Sequence, residues 1–277
     1  MSAVVCLING RAGDQVPVRD RGFQYGDGLF ETIAVCAGRP LLWERHMQRL
    51  SRDAARLGIA APPEPLWRAE AHGLCRGVAR GVLKLVLTRG GSERGYAPAE
   101  AEPTRVVSLA PWPDHPPAHA QDGVDVRLCR TTLACHPRLA GIKHLNRLEQ
   151  VLARGEWKDG YAEGLMLDED GHVIEGTMSN LFLVQRGALL TPDLSRCGVA
   201  GVVRDLVLEK ARALALPVHV TTLTPADLLT ADEIFLTNSV IGLWPVKRFE
   251  NRDYPVGKVT HSIRDAIGDA VCPAARC

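Results

Sequence analysis

The chain has 277 residues, 46% hydrophobic and 23% charged, which is apolar enough for one or two cored domains and unlike a disordered or fibrous protein. A formal net charge of +1 gives the overall field no hold on nucleic acid or an anionic membrane, so any anion site must be local. No apolar run reaches the ~20 residues that cross a bilayer, and the opening MSAVVCLING lacks a charged segment followed by a long apolar one, so a soluble, cytoplasmic protein is expected.

A strand is expected at 4–9, closing in the Asn9-Gly10 turn, and a second at 29–36 before Gly38. Helical spacing of Leu42, His46, Arg49/Leu50 and Leu57 predicts a helix over 41–57 that Gly58 stops. A second helix is expected at 65–80 and strands at 82–88 and 105–109, which makes the first section α+β. The stretch PWPDHPPAHAQDG has linker composition, so the expected division is a small domain at 1–112, a linker at 113–122 and a larger domain at 123–277. In the larger domain, strands are expected at 124–130, 165–168, 173–175, 181–185, 189–191, 218–222 and 234–237, with a helix over 202–214 after Gly198 and Gly201. This order is not a regular βαβα alternation, which argues against a doubly wound sheet. The segment 251–277 gives no clear signal. The eight cysteines form no CxxC pair and no Cys/His cluster of zinc spacing, so reduced thiols and no metal centre are expected.

Six lysines occur, and Lys143 lies in GIKHLNRLEQ at the start of a helical pattern, beside Ile142 and Leu145. Apolar neighbours can lower an amine's proton affinity and make it a nucleophile towards carbonyls, although a lone lysine also reads as a solvated surface group. Glu175 follows 32 residues later in EGTMSNLFL, between two expected strands, where a carboxylate could equally be a turn residue.

Lys143 and Glu175, with the glycine and Asn-Leu-Phe strand that follow, resemble the fold-type IV pyridoxal-phosphate enzymes, the class IV aminotransferase family. The resemblance implies a mixed α/β fold, with a smaller N-terminal α+β domain and a larger, β-barrel-like C-terminal domain carrying helices. It implies pyridoxal 5'-phosphate held as an imine by Lys143, with Glu175 at the pyridine nitrogen. His46-Met47-Gln48-Arg49-Leu50 resembles the family motif whose arginine binds the phosphate. GVAGVVRDL implies phosphate contacts from the Val202 and Val203 amides and ring packing by Val199, with Val203 standing where the family often has threonine. TNSVIGLWPV implies contacts from Ser239 and Val240.

Within the family, AGIKHLNRLEQ, GDGLFET and TRGGSERGYAP resemble the aminodeoxychorismate lyase branch more than the branched-chain or D-amino-acid aminotransferases, which remain the alternative. The resemblance implies 4-amino-4-deoxychorismate as the small-molecule substrate, and Thr32 as a second catalytic group that relays or positions a proton. Arg89, Arg94, Tyr25 and Tyr96 are the candidates for binding it, since planar arginines suit carboxylates. Leu148 stands where branched-chain enzymes have a tyrosine for the cofactor's phenolic oxygen. A homodimer is implied by the family, and neither nucleic acid nor membrane is expected as a partner.

Overall fold

A computed structural model describes residues 5–98, 101–268 and 270–271. The described residues divide into two compact units, one running to Asp114 and taking in Lys143–Asn146, the other formed by His115–Ile142 and the described chain from Arg147 to Val271.

The first unit contains β1 (Val5–Ile8), β2 (Arg11–Ala12), α1 (Arg21–Tyr25), β3 (Gly28–Cys36), β4 (Arg39–Pro40), α2 (Trp43–Leu57), α3 (Glu64–Cys75), β5 (Arg80–Thr88) and β6 (Thr104–Pro111). Its six strands form one antiparallel sheet in the order β2-β1-β6-β5-β3-β4. Alternation puts Leu29, Ile33 and Val35 of β3 with Leu83, Leu85 and Leu87 of β5 on one buried face, against which α2 packs Met47, Leu50 and Ala54. Gly58, at φ 65°, caps α2 by donating its N–H to Ala54 and Ala55. The second helix is shorter than the expected 65–80. It stops at Cys75, Gly77 turns at φ 75°, and Arg80 already belongs to β5.

The second unit contains α4 (Ala118–Gln121), β7 (Val124–Leu128), α5 (Leu148–Arg154), β8 (Glu163–Leu167), β9 (Val173–Gly176), β10 (Asn180–Gln185), β11 (Ala188–Pro192) and α6 (Val202–Ala213). It continues with β12 (Val218–Thr221), α7 (Pro225–Thr230), β13 (Glu233–Asn238), β14 (Gly242–Phe249), β15 (Arg252–Asp253) and α8 (Lys258–Ile267). Eight strands run in the order β12-β11-β10-β13-β14-β7-β8-β9, with β15 paired to β14. The β11–β12, β14–β7 and β7–β8 pairs are parallel. One face buries Leu181, Leu183, Ile234, Leu236 and Trp244; on the other, Phe182 and Phe235 stack with centroids 4.9 Å apart. The mixed α/β class and the larger curled sheet agree with the fold-type IV expectation. Cys6, Cys75, Cys129, Cys135 and Cys197 are free thiols, whereas Cys36 is disulfide-bonded, which corrects the expectation of reduced thiols at that position.

Candidate functional site

In the first unit, Lys143–Asn146 lies along the start of β3. Phe30 donates its N–H to the Lys143 carbonyl (3.0 Å), Leu145 donates to Gly28 (2.9 Å), and Leu29 bridges His144. This antiparallel register sets Lys143 opposite Phe30, on the same face, and its Nζ lies 4.3 Å from the ring centroid. One step along β3, Thr32 pairs directly with Lys84 of β5, which pairs in turn with Ser108 of β6. Lys84 Nζ lies 5.2 Å from the same Phe30 ring and has no ion pair among the described residues. One face of the sheet therefore carries two ammonium groups around one aromatic ring, with Thr32 on the same face.

Glu31 points the opposite way and is buried. Its Oε1 accepts from Arg49 Nε (2.8 Å), and its Oε2 accepts from Arg49 Nη2 (2.5 Å) and His46 Nδ1 (2.6 Å). Burial alone would push this carboxyl up, but the charges and hydrogen bonds of Arg49 and His46 hold it down at about 2. Burial outweighs the pull of Glu31 and lowers the His46 pKa, with the positive charges of Arg49 and Lys143 adding to the shift; facing a carboxylate oxygen, Nδ1 is the donor of this contact.

The two arginines proposed for substrate differ in their surroundings. Arg89 donates to both Asp27 oxygens (2.8 and 3.1 Å) and to the carbonyls of Leu57 and Gly58. These partners give it a structural task, namely tying the end of β5 to the GDG turn and the end of α2. Arg94 lies exposed in the following loop. Arg21 braces that loop by donating to Ser92, Gly95 and Tyr96 while also holding Asp27. The Tyr25 and Tyr96 rings meet at 5.4 Å, with Tyr96 largely exposed.

In the second unit, Glu175 is buried on β9 and accepts the Val199 N–H at 2.8 Å. Arg147, mostly buried, feels the Glu175 charge. The turn after Glu175 is organised by Glu163 of β8, which accepts from the Gly164, Thr177 and Met178 amides and from both the Thr177 and Ser179 hydroxyls. Burial outweighs these donors and leaves the Glu163 pKa raised.

Gly141 and Asn180 brace the loop ahead of α6: Gly141 donates to Gly198, Ala200 donates to Gly141, and Asn180 Nδ2 donates to the Val199 carbonyl (2.9 Å). Gly201 caps α6 without a side-chain bond, so the Val202 and Val203 amides open the helix at its positive end. A Cβ on Gly201 would meet Asn180 Oδ1. Gly201→Ala is therefore expected to displace Asn180 and destabilise the protein by ~1–3 kcal/mol, read by urea denaturation; unchanged stability would show that Asn180 can move without cost.

In the third element, Thr237 Oγ1 is buried without a hydrogen-bond partner, next to Ser239. The Val240 amide is given to Asn238 Oδ1 (2.8 Å), which turns the chain and takes the N–H expected for phosphate. Leu148 is 69% exposed at the start of α5. Glu31, His46, Lys84, Glu163 and Thr237 were not singled out as site residues in the sequence; for Lys84, the signal was a lone charge inside the apolar run VLKLVL.

Residues 28–249 match the family described as amino-transferase class IV. The chain belongs to the class IV aminotransferase family. The family match takes in Thr32, Arg49, Lys143, Glu175 and all three expected phosphate elements, leaving only Tyr25 outside. Within the family, the chain is 39% identical to an aminodeoxychorismate lyase from Vibrio harveyi, over 93% of this chain and 97% of that one. A D-alanine aminotransferase from Bacillus licheniformis is 27% identical over 96% of both. Among solved structures, a 4-amino-4-deoxychorismate lyase from Pseudomonas aeruginosa superposes with a TM-score of 0.92 at 50% identity, covering 96% of this chain and 98% of that one.

Proposed function

We propose that this class IV family member is a 4-amino-4-deoxychorismate lyase. It uses pyridoxal 5'-phosphate to release pyruvate from 4-amino-4-deoxychorismate and leave 4-aminobenzoate, the folate precursor. Identity to two lyases supports the reading. The observation that carries it is the Lys143–Phe30 and Thr32–Lys84 arrangement on one face of the sheet. A dianionic substrate whose leaving group must be protonated needs a hydroxyl and a second cation beside the proton-moving lysine; a neutral aliphatic side chain gains nothing from Lys84.

The donor chemistry fits the cofactor. In the first unit Arg49 would serve as a phosphate donor; in the second, the Val202 and Val203 amides, Ser239 and the orphaned Thr237 hydroxyl are of the donor type a phosphate needs, Val199 would pack on the ring, and Glu175 is a buried carboxylate suited to a protonated ring nitrogen. Val240 contributes less, because its amide serves Asn238. When bound, pyridoxal phosphate supplies an electron sink for the carbon that loses its proton.

Lys143 would hold the cofactor's aldehyde carbon at rest, and its amine, released when the substrate's amine takes its place there, would remove the substrate's C4 proton. Glu175 would keep the ring nitrogen protonated, and Lys84 and Arg94 would hold the substrate carboxylates, with Tyr25 and Tyr96 beside the arginine loop. The ring–oxygen bond to the enolpyruvyl group breaks, the ring becomes aromatic, and the departing fragment takes a proton on its methylene carbon to become pyruvate. Lys143 delivers that proton, with Thr32 positioning it.

The enzyme works as a cytoplasmic homodimer in this reading. The exposed Leu148, Val151 and Leu152 stripe on α5 supports contact with a second copy. No helix among the described residues is long and apolar enough to cross a membrane.

The test is release of 4-aminobenzoate and pyruvate by the purified protein, beside half-transamination with D-alanine and L-leucine. Rapid keto-acid formation without 4-aminobenzoate would overturn the reading. Lys84→Ala should raise KM for the substrate about tenfold, the scale of a charge-assisted hydrogen bond, with a smaller change in kcat; an unaltered KM would remove Lys84 from the site.

A further inference from the structure

We propose that Glu31 is the positioning residue that fixes Arg49 for the cofactor phosphate, so that much of the protein's preference for a phosphorylated cofactor is set by a carboxylate that never touches it. This rests on the reading of Arg49 as the phosphate arginine.

Glu31 lies in a strand between Leu29 and Ile33 and pairs with Leu85, all buried. An apolar side chain there would form a more ordinary core, because a buried ion pair gains less from its own attraction than it loses in desolvation unless the geometry is excellent. Here the geometry is good. The carboxylate grips the Nε–Nη2 edge of the guanidinium with two hydrogen bonds. His46, three residues before Arg49 and on the same side of α2, steadies Glu31 from a third direction, while its Nε2 has no partner. Arginine otherwise loses several freely rotating torsions on binding an anion, and this clamp removes that loss in advance.

Charge alone predicts the opposite effect. Glu31 partly cancels the positive charge of Arg49, so a purely electrostatic role would let Glu31→Gln tighten phosphate binding. A positioning role makes it weaker, because glutamine offers one acceptor where the arginine and histidine together present three donors.

The experiment is equilibrium titration of the full chain, stripped of cofactor, with pyridoxal phosphate and separately with pyridoxal. Glu31→Gln is expected to lower the pyridoxal-phosphate affinity about tenfold while leaving pyridoxal affinity unchanged, and His46→Leu to lower the same ratio by a smaller factor. His46→Leu also keeps the question open to test should Glu31→Gln not fold. Arg49→Ala separates the two levels of the argument. If it leaves the ratio unchanged, the assignment of Arg49 fails. If it collapses the ratio while Glu31→Gln and His46→Leu preserve or raise it, the positioning role of Glu31 is overturned. Equal loss of both ligands in Glu31→Gln would also overturn it, since that is the mark of general damage to the fold.

Discussion

Lys143→Ala is expected to lose turnover by roughly 10⁴-fold or more and to lose the covalent link to pyridoxal phosphate. General acid–base work accounts for roughly 10²–10⁴-fold, and loss of the nucleophile that holds the cofactor adds to it. The variant should still fold. The segment is pinned to β3 through the main chain, by Phe30 N–H to the Lys143 carbonyl and Leu145 N–H to Gly28, and neither bond involves the lysine side chain. The folding cost includes the contact with Phe30, about 0.5–1 kcal/mol for a partly exposed cation over a ring. Borohydride reduction and peptide mapping make the result specific: in the parent, the label belongs on Lys143, and in the variant it should vanish. Lys84 is the alternative to watch, because it shares the Phe30 ring. A label on Lys84 in the parent, or normal turnover by the variant, would end the proposed mechanism.

Much of the fold was legible because the local signals were strong and unopposed. The apolar phase of α2 and the glycine at its end fixed that helix to within two residues of its expected start, and alternation located β3, β5, β10 and β13. Three elements were harder. α7 opens with Thr224-Pro225-Ala226-Asp227, a capping box with proline in the first turn, which is a readable signal in a helix too short to show periodicity. β14 contains Pro245, which speaks against a strand; the structure admits it, and the register breaks one residue beyond, between Val246 and Arg248. α8 begins at Gly257 without a side-chain cap, and only Thr260, Ile263 and Ile267 of it are buried, too sparse a stripe to stand out in the final segment.

The site was legible where a motif carries several residue types at once and obscure where one residue type admits many tasks. Arg89 shows the second case. Sequence offers a planar donor in a glycine-rich loop, but only coordinates reveal that Asp27 and two carbonyls already surround it. Lys84 is the converse, a single charge in a strand whose meaning depends on which residue lies across the sheet. Sequence separates Thr32 and Lys84 by more than fifty positions; the antiparallel register makes them direct neighbours. Glu31 and Glu163 are hidden for a related reason, since a carboxylate among apolar residues reads as a misplaced surface group until its donors are known.

Glu175→Gln is expected to lower kcat by about 10²–10³-fold, the range seen when one preorganised electrostatic partner is removed from a reacting centre, with only a small change in cofactor affinity. Glutamine is close to isosteric, and its carbonyl oxygen can still accept the Val199 N–H, so the loop before α6 keeps its brace. What the amide cannot do is stabilise a proton on the ring nitrogen, and without that proton the ring accepts electrons poorly. Removing the charge also takes a favourable neighbour from the mostly buried Arg147, a stability effect that urea denaturation of the variant measures separately from the rate. The expected pattern is therefore a folded protein, saturable with pyridoxal phosphate, reducible onto Lys143 and slow. If Glu175→Gln turned over at the parental rate, electron withdrawal would not depend on this carboxylate. If it instead lost cofactor affinity in parallel with rate, Glu175 would serve mainly to shape the Val199 loop.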